Sequence, residues 1–120
     1  MRKFAKTDKI SDLIHHAISN AFLMELEDEA LRWVTLTDVQ VSRDLSVAKI
    51  YYAVVEQQLS REAAAKALQD NMRALRAYLG KNLRLKQTPD LRFYYDETLD
   101  RARHIEDLLE SIHRNEDHDA

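Results

Sequence analysis

VTLTDVQVSRDLSVAKIYYAVV, residues 34–55, is the stretch that decides the fold. Val34 and Leu36 share one face of an extended strand, but Val39 and Val41 have the opposite parity, so strict alternation would turn one pair into solvent. One extra residue near Thr37 and Asp38 returns both pairs to the same side, and the spacing predicts a β-bulge there. Beyond the polar link Ser42, Arg43, Asp44, the run Val47 to Val55 is rich in Val, Ile and Tyr, with Ala48, Ile50, Tyr52 and Val54 alternating on one side. So short a link forces the two runs into an antiparallel hairpin.

Toward the N-terminus, Ile10, Leu13, Ile14, Ala17, Ile18, Ala21 and Phe22 repeat at the three-then-four spacing of one helix face, with Thr7 as the expected cap. That helix is expected to stop among Glu25, Glu27, Asp28 and Glu29, whose charges oppose its C-terminal dipole. On the other side of the hairpin, Ser60 opens a helical region, with Leu59 set to staple Ala64 and Glu62 in the first turn. Ala64, Ala67, Leu68, Met72, Leu75, Leu79 and Leu83 hold helical phase from residue 64 to residue 83. One helix of that length is unusual in so small a domain, which favours two helices meeting at a bend near Asn71. Pro89 stops helix continuation, and Leu91, Phe93 and Tyr95 form a third strand with Arg92 and Tyr94 on its other face. A last helix follows, with Thr98 as cap and Leu99, Ala102, Ile105, Leu108 and Ile112 inward. Residues 1–114 are expected to form one domain and residues 115–120 a disordered polar tail. The order predicts an α+β layer, a three-stranded sheet covered on one face by helices.

Composition narrows the chemistry. The 120 residues are 45% hydrophobic and 32% charged, which suits one soluble globular core. No apolar run reaches the roughly 18 residues of a membrane span, and the basic N-terminus lacks the apolar core of a secretory signal, so a cytoplasmic location without membrane attachment is expected. With no cysteine there is no disulfide, thiolate metal site or Cys nucleophile. One glycine and one proline leave no Gly-rich phosphate loop. His15, His16, His104, His113 and His118 have no spacing that would enclose a metal, and no cofactor is expected.

The net charge of -3 hides a polar distribution. From Arg61 to Lys86 seven bases face two acids, a local +5, whereas from Asp96 to Ala120 three bases face nine acids, a local -6. Partners respond to such local fields more than to totals. At about 100° per residue Lys66, Arg73 and Arg84 fall within about 20° of one another, with Arg76 and Lys81 to either side, opposite the leucine stripe. Such a ridge, extended by Lys86, attracts phosphates and makes affinity depend on salt; an ordinary solvated helix face would look the same. Gly80 lies on the ridge, either to let an RNA backbone approach or as a packing position. Arg2, Lys3 and Lys6 form a basic arm, Arg43 stands at the hairpin tip, and Arg92 with Tyr94 could stack on bases unless Tyr94 packs under a neighbouring element.

Three strings carry a family resemblance, in family order and spacing: Val34, Thr35, Leu36 through Val41, Ser42, Arg43, Asp44, Leu45 to Ala48, Lys49, Ile50, Tyr51; Leu79, Gly80, Lys81 with Leu83, Arg84, Leu85; and Pro89, Asp90, Leu91, Arg92, Phe93, Tyr94, Tyr95, Asp96. Over nearly its whole length the chain resembles ribosome-binding factor A. The resemblance implies a type II KH-like fold. It further implies a monomer without catalysis that binds the immature 30S small ribosomal subunit and its 16S rRNA near the 5′ terminal helix and the neck. Late maturation, rRNA processing and cold adaptation are the implied roles, with an assembly GTPase as release partner in some members. Two departures stand out: Asp28, Glu29, Ala30 where the family has an Asp-Pro-Arg turn, and Asn71, Met72, Arg73 where it often has an Ala-x-Gly bend. The RNA-binding set expected here is Lys66, Asn71, Arg73, Arg76, Gly80, Lys81, Arg84, Lys86, Arg43, Arg2, Lys3 and Lys6. Two alternatives belong to other classes. One is a metal-dependent ribonuclease trimming the 16S precursor through Asp90, Asp96, Glu97 and Asp100; the other is a protein-only interaction module using the acidic last helix.

Overall fold

A computed structural model describes residues 6–98. The arm residues Arg2 and Lys3, the side chain of Lys6, the last helix and the tail lie outside the described residues. The first helix, α1 (Lys6–Asn20), is prolonged by a wider turn at Ala21–Glu25, closed by Leu26 N–H donating to the Ala21 carbonyl at 2.9 Å. Lys6 is already helical, so Thr7 lies inside the helix rather than at the cap, and its carbonyl accepts from the Ser11 hydroxyl. Ile10, Ile14, Ile18, Ala21 and Phe22 are buried, while Leu13 is 52% exposed, because the sheet covers a narrower stripe than the apolar repeat. The helical turns end at Glu25, at the start of the acidic stretch.

Strands β1 (Val34–Val41) and β2 (Val47–Val54) pair antiparallel, and β3 (Asp90–Tyr95) joins β2 in parallel to complete the order β1-β2-β3. The bulge stands where the valine parity requires it: Leu36 faces Tyr52, Asp38 faces Tyr51, and Thr37 is the extra residue. Val34, Leu36 and Val39 are therefore all buried on one face. The hairpin loop, residues 42–46, is fixed by Asp44, whose carboxylate accepts from the hydroxyls of Ser42 and Ser46 and the Ser46 N–H. Leu45 closes the loop at φ 64°, a left-handed conformation costing about 1–2 kcal/mol, offset by its packing against the core.

Ser60 caps α2 (Arg61–Asp70) through its hydroxyl, which accepts from Ala63 N–H at 3.1 Å. The expected bend falls at Asn71, between α2 and α3 (Met72–Asn82). Asn71 has φ -99° and ψ 4°, so the bend needs no left-handed residue and no glycine. Helical phase does not run through Leu83, which is extended and ends α3. The helices cover one sheet face, burying Ile14, Ile18, Phe22, Leu31, Ile50, Leu75 and Leu79 almost completely, each contributing about 1.5–3 kcal/mol of transfer free energy. Among the described residues, no helix is long and apolar enough to cross a membrane, and no buried side-chain polar atom lacks a partner.

Candidate nucleic-acid interface

Leu68, Leu75 and Leu79 hold α2 and α3 against the sheet, so the opposite flank faces outward. Lys66, Arg73, Arg76 and Lys81 are all exposed on it, as expected. Arg84 and Lys86 are exposed too, but they stand on the loop after α3 rather than on the helix. The apolar repeat continues one residue beyond the last helical turn, and the angular alignment of Arg84 with Lys66 and Arg73 does not survive the bend and this early end.

Of the seven bases from Arg61 to Lys86, two are committed within the fold. Arg61 lies 3.4 Å from Glu56 and 3.9 Å over the Tyr95 ring. Arg76 donates to the Thr88 carbonyl at 3.3 Å and sits 3.6 Å from Asp90. Lys66, Arg73, Lys81, Arg84 and Lys86 form no ion pair among the described residues. Arg73 and Arg76 flank an open groove of about 540 Å³, lined also by Gln69, Asp70, Met72, Ala77 and Thr88.

Asn71 plays a different part from its neighbours. Its amide donates to Asp28 at 3.0 Å and to the Ala67 carbonyl at 2.8 Å, so both amide hydrogens are used inside the fold. Asp28 in turn caps the short 3₁₀ turn Glu29–Trp33 through the Ala30 N–H. The departure at Asp28, Glu29, Ala30 and the departure at Asn71 are thus joined in one contact that pins the bend beside the entry to β1. Gly80 is packed: a Cβ there would meet the Thr88 hydroxyl at 3.1 Å, because the loop to Pro89 returns over α3. Arg43 is exposed in the hairpin loop, and Asp90 N–H donating to the Ser46 carbonyl puts that loop at the same sheet end as the start of β3.

The carboxylates do not assemble as the nuclease alternative requires. Asp90 and Asp96 stand at opposite ends of β3, about 20 Å apart at 3.3 Å per residue. Asp96 accepts from the Thr37 hydroxyl at 2.6 Å and from Thr98 N–H at 2.9 Å, which together hold its carboxyl below the ordinary carboxylate value. No group of three potential ligands gathers among the described residues. Asp100 lies outside them.

Sequence reasoning missed Lys49 and Tyr51. Alternation in β2 places both on the face away from the helices, but only the parallel register shows that Lys49 stands beside Arg92 and Tyr51 beside Tyr94.

A bulged hairpin, a bent helix pair and a parallel returning strand define a type II KH-like α+β domain with an exposed cationic flank. The profile of the family described as Ribosome-binding factor A matches residues 6–109. The chain is 33% identical over 110 residues to a ribosome-binding factor A of Trichlorobacter lovleyi, covering 92% of this chain and 89% of that one. It therefore belongs to the ribosome-binding factor A family. Among solved structures, a Thermotoga maritima protein described as a putative ribosome binding factor A superposes with TM-score 0.68 at 26% identity, over 82% of this chain and 93% of that one. A homology model of the Thermus thermophilus ribosome binding factor A, fitted into the cryo-EM map of a complex with 30S, gives TM-score 0.60 at 28% identity, over 72% of this chain and 90% of that one.

Proposed function

We propose that this protein binds the immature small ribosomal subunit through its 16S rRNA and assists late maturation, including rRNA processing and cold adaptation, without making or breaking a bond. The observation that carries this reading is the leucine-backed flank of Lys66, Arg73 and Lys81, followed by Arg84 and Lys86 on the loop after α3: all five are exposed and form no ion pair among the described residues. Five such charges would neutralise several phosphates and release their counterions. The Thermus relative seen with 30S supports the choice of partner. Arg43 and the arm Arg2, Lys3 and Lys6 extend the contact, and Arg76 steers the flank while its charge is shared with Asp90. Gly80 and Asn71 serve by shape, the first by admitting the loop at Thr88 and the second by fixing the bend. Its action is positional: it holds one rRNA conformation until folding and processing finish, and an assembly GTPase then favours the state that releases it. The protein acts as a cytoplasmic monomer. Chemical footprinting of 16S rRNA in immature subunits tests this: the protein should protect a defined set of nucleotides, and an unchanged pattern would refute it.

A further inference from the structure

The sheet face turned away from the helices carries a second cationic and aromatic surface. Parallel pairing sets Lys49 beside Arg92 and, two residues on, Tyr51 beside Tyr94. Lys49 and Arg92 are exposed, and neither forms an ion pair among the described residues. The rings of Tyr51 and Tyr94 are 5.7 Å apart and inclined by 32°, and Tyr94 remains 42% exposed. Beside them lies a cavity of about 320 Å³ lined by Gln40, Val41, Ser42, Val47, Lys49 and Arg92. That volume is at the lower end of the range for small-ligand sites. Of the nearby acids, Asp38 stands across from Tyr51 and accepts from Val39 N–H and the Gln40 amide, whereas Asp90 faces Arg76.

We propose that this outer face binds an unpaired stretch of RNA, with one base stacked on Tyr94 and an adjoining phosphate held between Lys49 and Arg92. The inference rests on the RNA-binding reading above and adds a second contact surface on the opposite side of the sheet from α2 and α3. The step from the Lys49/Arg92 pair to the Tyr51/Tyr94 pair is two residues of strand, roughly 6.6 Å, within the reach of a base from its own phosphate. An exposed tyrosine ring accepts any base face, but only from a strand whose bases are free, since a duplex keeps its bases stacked on one another. A protein partner fits less well, because Lys49 and Arg92 at the rim would need carboxylates placed to match while phosphates come with every nucleotide.

The test is an NMR titration of the full chain with an unstructured oligouridylate of about twelve nucleotides, within the usual span of one single-strand site, and with an RNA duplex of equal length. The single strand should shift the amides of Lys49, Tyr51, Arg92 and Tyr94, and the duplex should not. Tyr94→Ala should weaken single-strand binding by roughly 5- to 150-fold, the range for one lost base–aromatic stack, whereas Tyr94→Phe should retain it. Lys66→Glu with Arg73→Glu should leave these shifts in place even where subunit binding is lost, so the failure of either surface is distinguishable from the other. Unmoved amides on the outer face, or Tyr94→Ala binding as tightly as the parent, would overturn the proposal. So would shifts there produced by ribosomal proteins and not by RNA.

Discussion

Reversing two exposed charges, Arg73→Glu on the flank and Arg84→Glu on the loop after α3, separates binding from folding. Both side chains are exposed and neither forms an ion pair among the described residues, so each substitution should change stability by no more than about 0.5 kcal/mol. At about 4–8 °C per kcal/mol, the two together should lower the melting temperature by no more than about 8 °C. Binding should respond far more strongly. Each reversal removes an attraction to phosphate of about 1 kcal/mol at 4 Å in water and installs a repulsion of similar size. Two sites then lose about 4 kcal/mol, close to a thousandfold in affinity. The slope of log affinity against log salt should fall by about one per arginine. Cosedimentation with small subunits across a salt series reads both quantities. A folded double variant that cosediments like the parent, with an unchanged salt slope, would remove the flank from the account.

Three further outcomes follow from single contacts. Asn71→Ala removes the amide donor to one Asp28 oxygen and one of two donors to the Ala67 carbonyl, which keeps the residue-71 N–H, and should cost about 1 kcal/mol in urea unfolding; an unchanged midpoint would show that the bend is held otherwise. Gly80→Ala should gain less than the usual 1 kcal/mol of helix propensity because its Cβ meets the Thr88 hydroxyl, and adding Thr88→Ala should recover the rest; equal stability of the single and double variants would contradict the packing role. The Thr37 hydroxyl holds the Asp96 carboxyl below its ordinary 3.8, so the pair stabilises the fold above that value and loses this contribution as pH falls through the folded pKa. Thr37→Val should raise the Asp96 pKa in an NMR titration and lower stability near neutrality but not in strong acid.

The features legible in the sequence were those written in local patterns. The parity clash of Val34 and Leu36 against Val39 and Val41 located the bulge at Thr37, and the length of the helical repeat located the bend at Asn71. Ser60 was readable as a cap because capping is chemistry of a few adjacent residues. What escaped depends on pairing between distant segments. Arg84 looked helical because Leu83 keeps the apolar phase, yet Leu83 is already extended, and periodicity does not register where hydrogen bonding stops. The partnership of Asn71 with Asp28 spans 43 residues. The placement of Lys49 beside Arg92 follows from a parallel register that no local string encodes. Leu13 shared the spacing of its neighbours but not their burial, since the stripe a sheet covers is set by the partner's width.

Photocrosslinking from the groove between Arg73 and Arg76 tests the cationic flank most directly. Ala77 is exposed, lines that groove and carries no charge, so replacing it with a benzophenone amino acid leaves every cation in place. Irradiated on immature small subunits, the protein should join covalently to 16S rRNA, and the product should vanish with Arg73→Glu and Arg84→Glu. Adducts to ribosomal proteins alone, or rRNA adducts indifferent to the two reversals, would contradict the account.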